Sequence, residues 1–276
     1  MSKGVCDICP HHCRLAEGQI GFCRARSNVG GRIQAINYGL VTSIAIDPIE
    51  KKPLYRFHPG SCILSLGSFG CNLRCSFCQN YEISMADAQQ VHVRKLEPEE
   101  VVNLAVSLQS KGNIGIAYTY NEPVVGYEYV YDCARLAKEK GLKNVLVTNG
   151  YCCEGKLDEL LRFIDALNID LKAFTKDFYQ KISGDLETVK NSIKLAAETA
   201  HVEVANLIIP GENDSEDEIE ALSAWLASIS QDIPLHLTRF FPQYKMTDRV
   251  ATDVDKLYRL AEIAEGNLKY VYLGNC

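Results

Sequence analysis

The sequence predicts an α/β protein, a partial (β/α)6, TIM-like barrel over residues 62–276 preceded by a cysteine-rich extension at residues 1–61. Three observations carry that prediction. From residue 62 onward, short apolar β-branched runs alternate with longer amphipathic ones. No Pro/Ser-rich linker divides that stretch, and the cysteines cluster at Cys6–Cys23 and Cys71–Cys78. Strand then helix, repeated, makes a parallel sheet with right-handed crossovers. About six such units are too few to close an eight-fold barrel.

Taken in order, residues 32–46 are rich in β-branched residues around Gly39 and predict a hairpin. Strands are expected at Ile63–Phe69, Ile114–Tyr118, Asn144–Thr148, Ala166–Leu171, Val202–Ile209, Leu235–Phe240 and Leu268–Leu273. Helices are expected where apolar residues recur at helical spacing: Val101, Val102, Ala105 and Leu108; Ala134, Leu136 and Ala137; Leu157, Leu160, Leu161 and Ile164. Ser215 with Glu218 reads as a capping box opening the helix of Ile219, Leu222 and Trp225. The acidic run 212–220 reads as a solvated helix start.

Composition narrows the function. With 29 basic and 35 acidic residues the formal net charge is −6, which argues against a nucleic-acid groove. The absence of a long apolar run and of a signal-peptide pattern predicts a cytoplasmic protein without membrane contact. In a reducing compartment, 12 cysteines point to metal ligands and spare thiols rather than disulfides.

After the first barrel strand, Gly70-Cys71-Asn72-Leu73-Arg74-Cys75-Ser76-Phe77-Cys78-Gln79-Asn80 puts three thiols on one loop. Thiolates suit iron-sulfur clusters or zinc. Three of them on a four-iron cluster leave one iron open, the mark of a catalytic metal. The competing reading is a zinc site completed by a distant His58 or Cys62. Polar residues gather where the next strands end: Thr119-Tyr120-Asn121-Glu122-Pro123, Asn149-Gly150, Asp170-Leu171-Lys172, Pro210-Gly211 and, on the sixth strand, His236 and Arg239. In barrels of this kind that rim carries the chemistry.

Cys71-x3-Cys75-x2-Cys78, with aromatic Phe77 before the last cysteine, resembles the signature of the radical S-adenosylmethionine (SAM) superfamily. Within it, the loop is similar to that of pyruvate formate-lyase activating enzymes and other activases of glycyl radical proteins. Together with the N-terminal cysteines it looks most like the AmmeMemoRadiSam branch. The resemblance implies a [4Fe-4S] cluster on Cys71, Cys75 and Cys78 that binds SAM and cleaves it reductively. The resulting 5'-deoxyadenosyl radical then takes hydrogen from a protein or small-molecule substrate, activation of a glycyl radical protein being one outcome. It implies SAM contacts by Phe77, Asn80, Tyr120, Asn121, Glu122, Asn149, Asp170, His236 and Arg239, with Glu122 receiving the methionine ammonium. Asp170 and Lys172 resemble the Asp-x-Lys element and are the catalytic candidates.

Cys6-x2-Cys9-x3-Cys13-x9-Cys23 suits a structural zinc or an accessory cluster, which spacing does not separate. Activases of the usual kind lack this head, so modification of a small molecule or of a side chain other than glycine stands beside glycyl activation. A non-catalytic iron-sulfur electron-transfer protein is the third alternative. Implied partners are a reductant such as flavodoxin or ferredoxin and, from the branch, Memo-like and AMMECR-like proteins. Related chains of that branch continue past Tyr272–Asn275 into a cysteine-bearing tail, so the resemblance implies that this chain stops short at Cys276. Cys62, Cys133, Cys152 and Cys153 read as spare thiols and Trp225 as core.

Overall fold

A computed structural model describes residues 3–276. Its centre is an eight-stranded sheet of β1 (Ser43–Pro48), β2 (Cys62–Gly67), β3 (Asn113–Tyr118), β4 (Lys143–Thr148), β5 (Ala166–Asp170), β6 (His201–Ile208), β7 (Leu235–Arg239) and β8 (Val271–Gly274). The strands lie side by side in chain order, with β1 and β8 as the two edges. From β2 to β8 every pairing is parallel, whereas β1 runs antiparallel to β2. The crossovers carry helices α1 (Pro98–Ser107), α2 (Tyr127–Glu139), α3 (Glu154–Leu161), α4 (Leu186–Thr199), α5 (Glu216–Ile229) and α6 (Val254–Glu265). This is the α/β partial barrel that the alternation predicts.

Side-chain alternation assigns the two faces of the sheet. Leu64, Leu66, Ile116, Leu146, Leu167 and Ile169 pack in one cluster with helix residues such as Val101, Ala134, Leu160 and Ile193. Ile63, Ala117, Val145 and Ala166 point the other way and meet Ile49 and Leu54. The segment after β1 therefore plugs the inner face at the amino ends of the strands. Carboxyl ends all lie at the opposite rim, because the strands are parallel.

The hairpin expected around Gly39 does not form. The turn lies instead at Gly30-Gly31, both at positive φ, and joins Arg26–Val29 to Arg32–Ala35. Two adjacent glycines accept the left-handed backbone of a tight turn without a Cβ penalty. Leu40–Val41 pairs with Arg94–Lys95, and Ser43–Pro48 joins the main sheet. That edge strand lies inside the segment read as the extension, so the sheet runs across the boundary drawn at residue 62. Only half of the capping box is present. Ser215 accepts from the Glu218 N–H, but the Glu218 carboxylate accepts from the Phe174 N–H at 2.6 Å. The strand expected from Leu268 begins at Val271. Trp225 is half-buried against the core, and Cys133 and Cys152 are buried. Among the described residues, no helix is long and apolar enough to cross a membrane.

A buried ion pair fixes the plug. Lys52 Nζ lies 2.7 Å from Asp47 Oδ2, with side chains 3% and 6% exposed. Burial works against the Asp47 charge, yet bonds from Lys52, Tyr120 and Lys51 hold its carboxyl well below the usual range. Lys51 also reaches Asp47, at 3.0 Å, but is 68% exposed. Replacing Lys52 by Met strands a buried carboxylate and should cost about 3–5 kcal/mol. Lys51→Met should cost at most about 1 kcal/mol. Denaturant unfolding of the two variants measures this, and equal losses would contradict the placement of Lys52.

Candidate active site

The three-cysteine loop follows the carboxyl end of β2 and is held from both sides. On the head side, the Cys71 N–H donates to Cys23 O at 3.2 Å, and the Arg74 guanidinium lies 3.8 Å from the Phe22 ring centroid. On the barrel side Asn72, fully buried, donates through Nδ2 to Tyr151 O at 2.6 Å and accepts from Asn149 Nδ2 at 2.9 Å. Its backbone carbonyl meets His11 Nε2 at 2.8 Å. Cys75 is buried, while Cys71 and Cys78 are half-buried. Burial pushes the Cys75 thiol up to about 12, against the charge of Lys172. Burial and the Glu122 charge push Cys71 up as well.

A second network joins the loop to the ends of β3 and β4. Asn121 Nδ2 donates to Phe69 O and Gly70 O at 3.2 and 3.1 Å, and its Oδ1 accepts from the Ser68 N–H at 2.9 Å. Glu122, 3% exposed, accepts from Thr148 Oγ1 (2.7 Å), the Asn149 N–H (2.8 Å) and the Val124 N–H (3.2 Å). Burial raises its carboxyl to about 7 despite these bonds. Asn149 Nδ2 also stands 3.7 Å from Cys71 Sγ. Asn121, Glu122 and Asn149, singled out by sequence, therefore meet at the loop. Asn72 and Thr148 belong with them and were missed. The signal for Asn72 was available, since an amide between two ligand cysteines must find partners when buried.

Asp170 and Lys172 meet as an ion pair at 2.7 Å. Burial opposes the Lys172 charge, but Asp170 and the Cys75 thiol outweigh it and hold the amine above its ordinary range. Phe77 packs 6.0 Å from Phe178, and Asn80 Nδ2 donates to Tyr120 O at 2.7 Å. Tyr120, at positive φ, turns its ring away from the loop and donates to Asp47 Oδ2 at 2.6 Å, with Lys52 Nζ 4.6 Å from the ring centroid. The segment after β7 crosses the loop: the Lys245 N–H donates to Ser76 O at 2.9 Å, Gln243 Nε2 to Gln79 O at 3.0 Å, and Tyr244 stacks on Tyr81 at 4.5 Å.

His236 lies apart from this assembly, whereas Arg239 ends β7 at the rim. His236 is the second residue of β7 and so sits at the amino end. Its Nε2 meets Glu203 Oε2 at 2.6 Å, beside His201 at 2.9 Å from Oε1. Glu203 also accepts from the N–H groups of Tyr55 and Arg56, which ties it to the plug. Arg239 Nε donates to Thr252 O at 2.8 Å and its guanidinium covers Phe241. His236 is held by Glu203, and Arg239 is anchored through Nε. His58 and Cys62, the candidate fourth ligands for zinc, lie at the amino end of β2, roughly 17–20 Å of strand away from the loop. Among the described residues no three His, Cys, Asp or Glu side chains are gathered round a single-ion position. Three soft donors on one loop fit an iron-sulfur cluster with an open iron.

The sequence signature of the family described as Radical SAM superfamily matches residues 66–225. Over 99% of its length the chain is 43% identical to a protein of Methanocaldococcus jannaschii described as uncharacterized, and the match covers 82% of that protein. It is 26% identical, over 69% of its length and 85% of the relative, to the pyruvate formate-lyase-activating enzyme of Clostridium pasteurianum. Among solved structures, a radical SAM methyltransferase from Sphaerobacter thermophilus superimposes with a TM-score of 0.60 at 20% identity, over 79% of this chain and 67% of that one. A domain of the pyruvate-formate lyase-activating enzyme of Bacteroides vulgatus gives 0.52 at 19% identity, over 58% and 99%. Both share the fold.

The Glu203 cluster generates a pH prediction. Burial raises its carboxyl, but bonds from His201, His236 and the Arg56 and Tyr55 N–H groups win and hold it at about 2, below the ordinary 4.5. A folded value below the unfolded one gives stability that is present above about pH 4.5 and is lost as pH falls toward 2. Glu203→Gln should flatten that part of the stability curve. An unchanged acid slope, measured by urea unfolding from pH 6 to pH 3 or so, would contradict it.

Proposed function

The chain belongs to the radical SAM superfamily, and from that membership we infer that it is an enzyme which cleaves SAM at a [4Fe-4S] cluster on Cys71, Cys75 and Cys78 and abstracts hydrogen from a substrate. The observation that carries this reading is the seating of the three-thiol loop against the rim through Asn72, Asn121, Glu122 and Asn149. When bound, the cluster supplies the electron for reductive cleavage of SAM and hence the radical that abstracts hydrogen.

The chain's own residues bind and orient. Glu122 offers a buried carboxylate to the methionine ammonium. Its two oxygens already take three protein donors, and a carboxylate accommodates about four, so room for one charge-assisted contact remains. An ammonium there stabilises the charged form of a carboxyl that burial lifts to about 7. Asn149, between Glu122 and Cys71 Sγ, positions the ammonium site relative to the loop. Lys172 and Asp170 stand on the loop's other flank and supply a fixed charge pair near Cys75, suited to SAM carboxylate or substrate. The turn Gln243–Met246 covers the loop and limits water. We place Tyr120 as a support for the Asn121-Glu122 turn, keep Arg239 at the rim as a candidate SAM contact, and leave His236 at the amino end out of the SAM site.

Similarity to an activating enzyme over most of the chain supports a protein substrate, with glycyl activation as one form. A flavodoxin or ferredoxin would deliver the electron, and Memo-like and AMMECR-like proteins are candidate partners. Under anaerobic conditions with dithionite, the reconstituted protein should form 5'-deoxyadenosine and methionine even without substrate. Cys75→Ala should abolish this and Cys62→Ala should leave it. Product formation that survives Cys75→Ala, or that is absent from protein with a verified reduced cluster, would sink the reading in favour of electron transfer.

A further inference from the structure

The function above leaves four cysteines unused. Cys6, Cys9, Cys13 and Cys23 line a single cavity together with His11, Phe22 and Arg26. Of the four, Cys6, Cys9 and Cys23 are buried and Cys13 is half-buried. Arg26 on the cavity wall, 3% exposed, binds Glu128 with both terminal nitrogens at 2.8 and 2.6 Å. Its Nε–H is buried without a partner, an arrangement that natural structures rarely leave unexplained. A metal-bound thiolate is an acceptor of the right charge for that donor.

We propose that Cys6, Cys9, Cys13 and Cys23 bind one divalent ion of the zinc class as a tetrathiolate, and that this ion holds the head against the loop of Cys71–Cys78. Four thiols on one pocket, with no coordination position left open, make the closed donor set of a structural ion rather than the open set of a catalytic metal. The side chains are not at ion distance, but all four line one pocket and the Cys6 N–H donates to Cys13 O at 3.0 Å. Each thiol loses its proton as its S–metal bond forms, with no change of oxidation state.

The second half of the proposal rests on how the head meets the loop. Cys23 O accepts from the Cys71 N–H, so a ligand of the ion bonds directly to a cysteine of the loop. A Cβ on Gly70, at φ +89, would come within 2.5 Å of that same Cys23 oxygen, which shows how closely the two backbones pass. His11, between Cys9 and Cys13, meets Asn72 O. The segment's own secondary structure is short, such as Gly4–Val5 with Arg14–Leu15.

The test uses the full chain with Cys71, Cys75 and Cys78 all changed to Ala, so that the loop holds no metal, supplied with Zn2+ or Co2+. Elemental analysis should give about one zinc per chain without acid-labile sulfide, and Co2+ should show thiolate charge-transfer and tetrahedral ligand-field absorption. Adding Cys6→Ser and Cys13→Ser should abolish both signals, while Cys153→Ser should keep them. Amide exchange at residue 71 should slow by about tenfold or more on zinc loading. Absence of a bound ion, iron with sulfide in its place, or exchange at residue 71 that ignores loading overturns the proposal. None of these readouts requires SAM cleavage, so failure here is distinguishable from failure of the proposed activity.

Discussion

The site depends on one buried side chain. Asn72 lies between two cysteines of the loop and has no contact with solvent. Its amide joins the loop to Asn149 and Tyr151 beyond β4, and its carbonyl meets His11 of the head. A thiol loop without such anchors would be an ordinary surface turn, free to present its sulfurs in many directions. Each buried polar group left without a partner costs about 1–3 kcal/mol. The bonds of Asn72 therefore select one loop conformation from many, and the thiols inherit its precision.

From that anchor the molecule divides its polar residues between two ends of the sheet. At the carboxyl rim, Asn121, Glu122, Asn149, Asp170 and Lys172 face the loop, and their charges are held in place by neighbours rather than by water. At the amino end, Asp47 with Lys52 and Glu203 with His201 and His236 secure residues 49–58 against the inner face. These are stability devices. A buried carboxylate is tolerated there because each of its oxygens is matched by a donor. The same chemistry at the rim leaves Glu122 with a raised carboxyl value and one remaining acceptor position, which is what an incoming ammonium needs.

The parallel core was legible because buried strands write themselves as apolar runs, and all seven expected strands appear within a few residues of their predicted ends. The cysteine loop was legible because ligand spacing is local. Edge strand β1 was not: Ser43–Pro48 alternates weakly, and its partner lies a loop away. The place of His236 was not legible for a related reason. A histidine on a strand carries no mark of which end it occupies relative to the rim, and the carboxylate that claims it, Glu203, comes from another strand. Tyr120 was assigned to SAM from its neighbours in the motif, but positive φ turns its side chain toward Asp47, a residue outside any recognised pattern.

The central claim is that Cys71, Cys75 and Cys78 would hold a cluster that binds SAM, with Glu122 receiving the methionine ammonium. Electron paramagnetic resonance of the anaerobically reduced protein, titrated with SAM, tests it most directly. The account predicts that SAM changes the reduced-cluster signal, and that Glu122→Gln raises the SAM concentration needed by about tenfold, the loss of one charge-assisted contact. A native-protein signal that SAM leaves unchanged would contradict it.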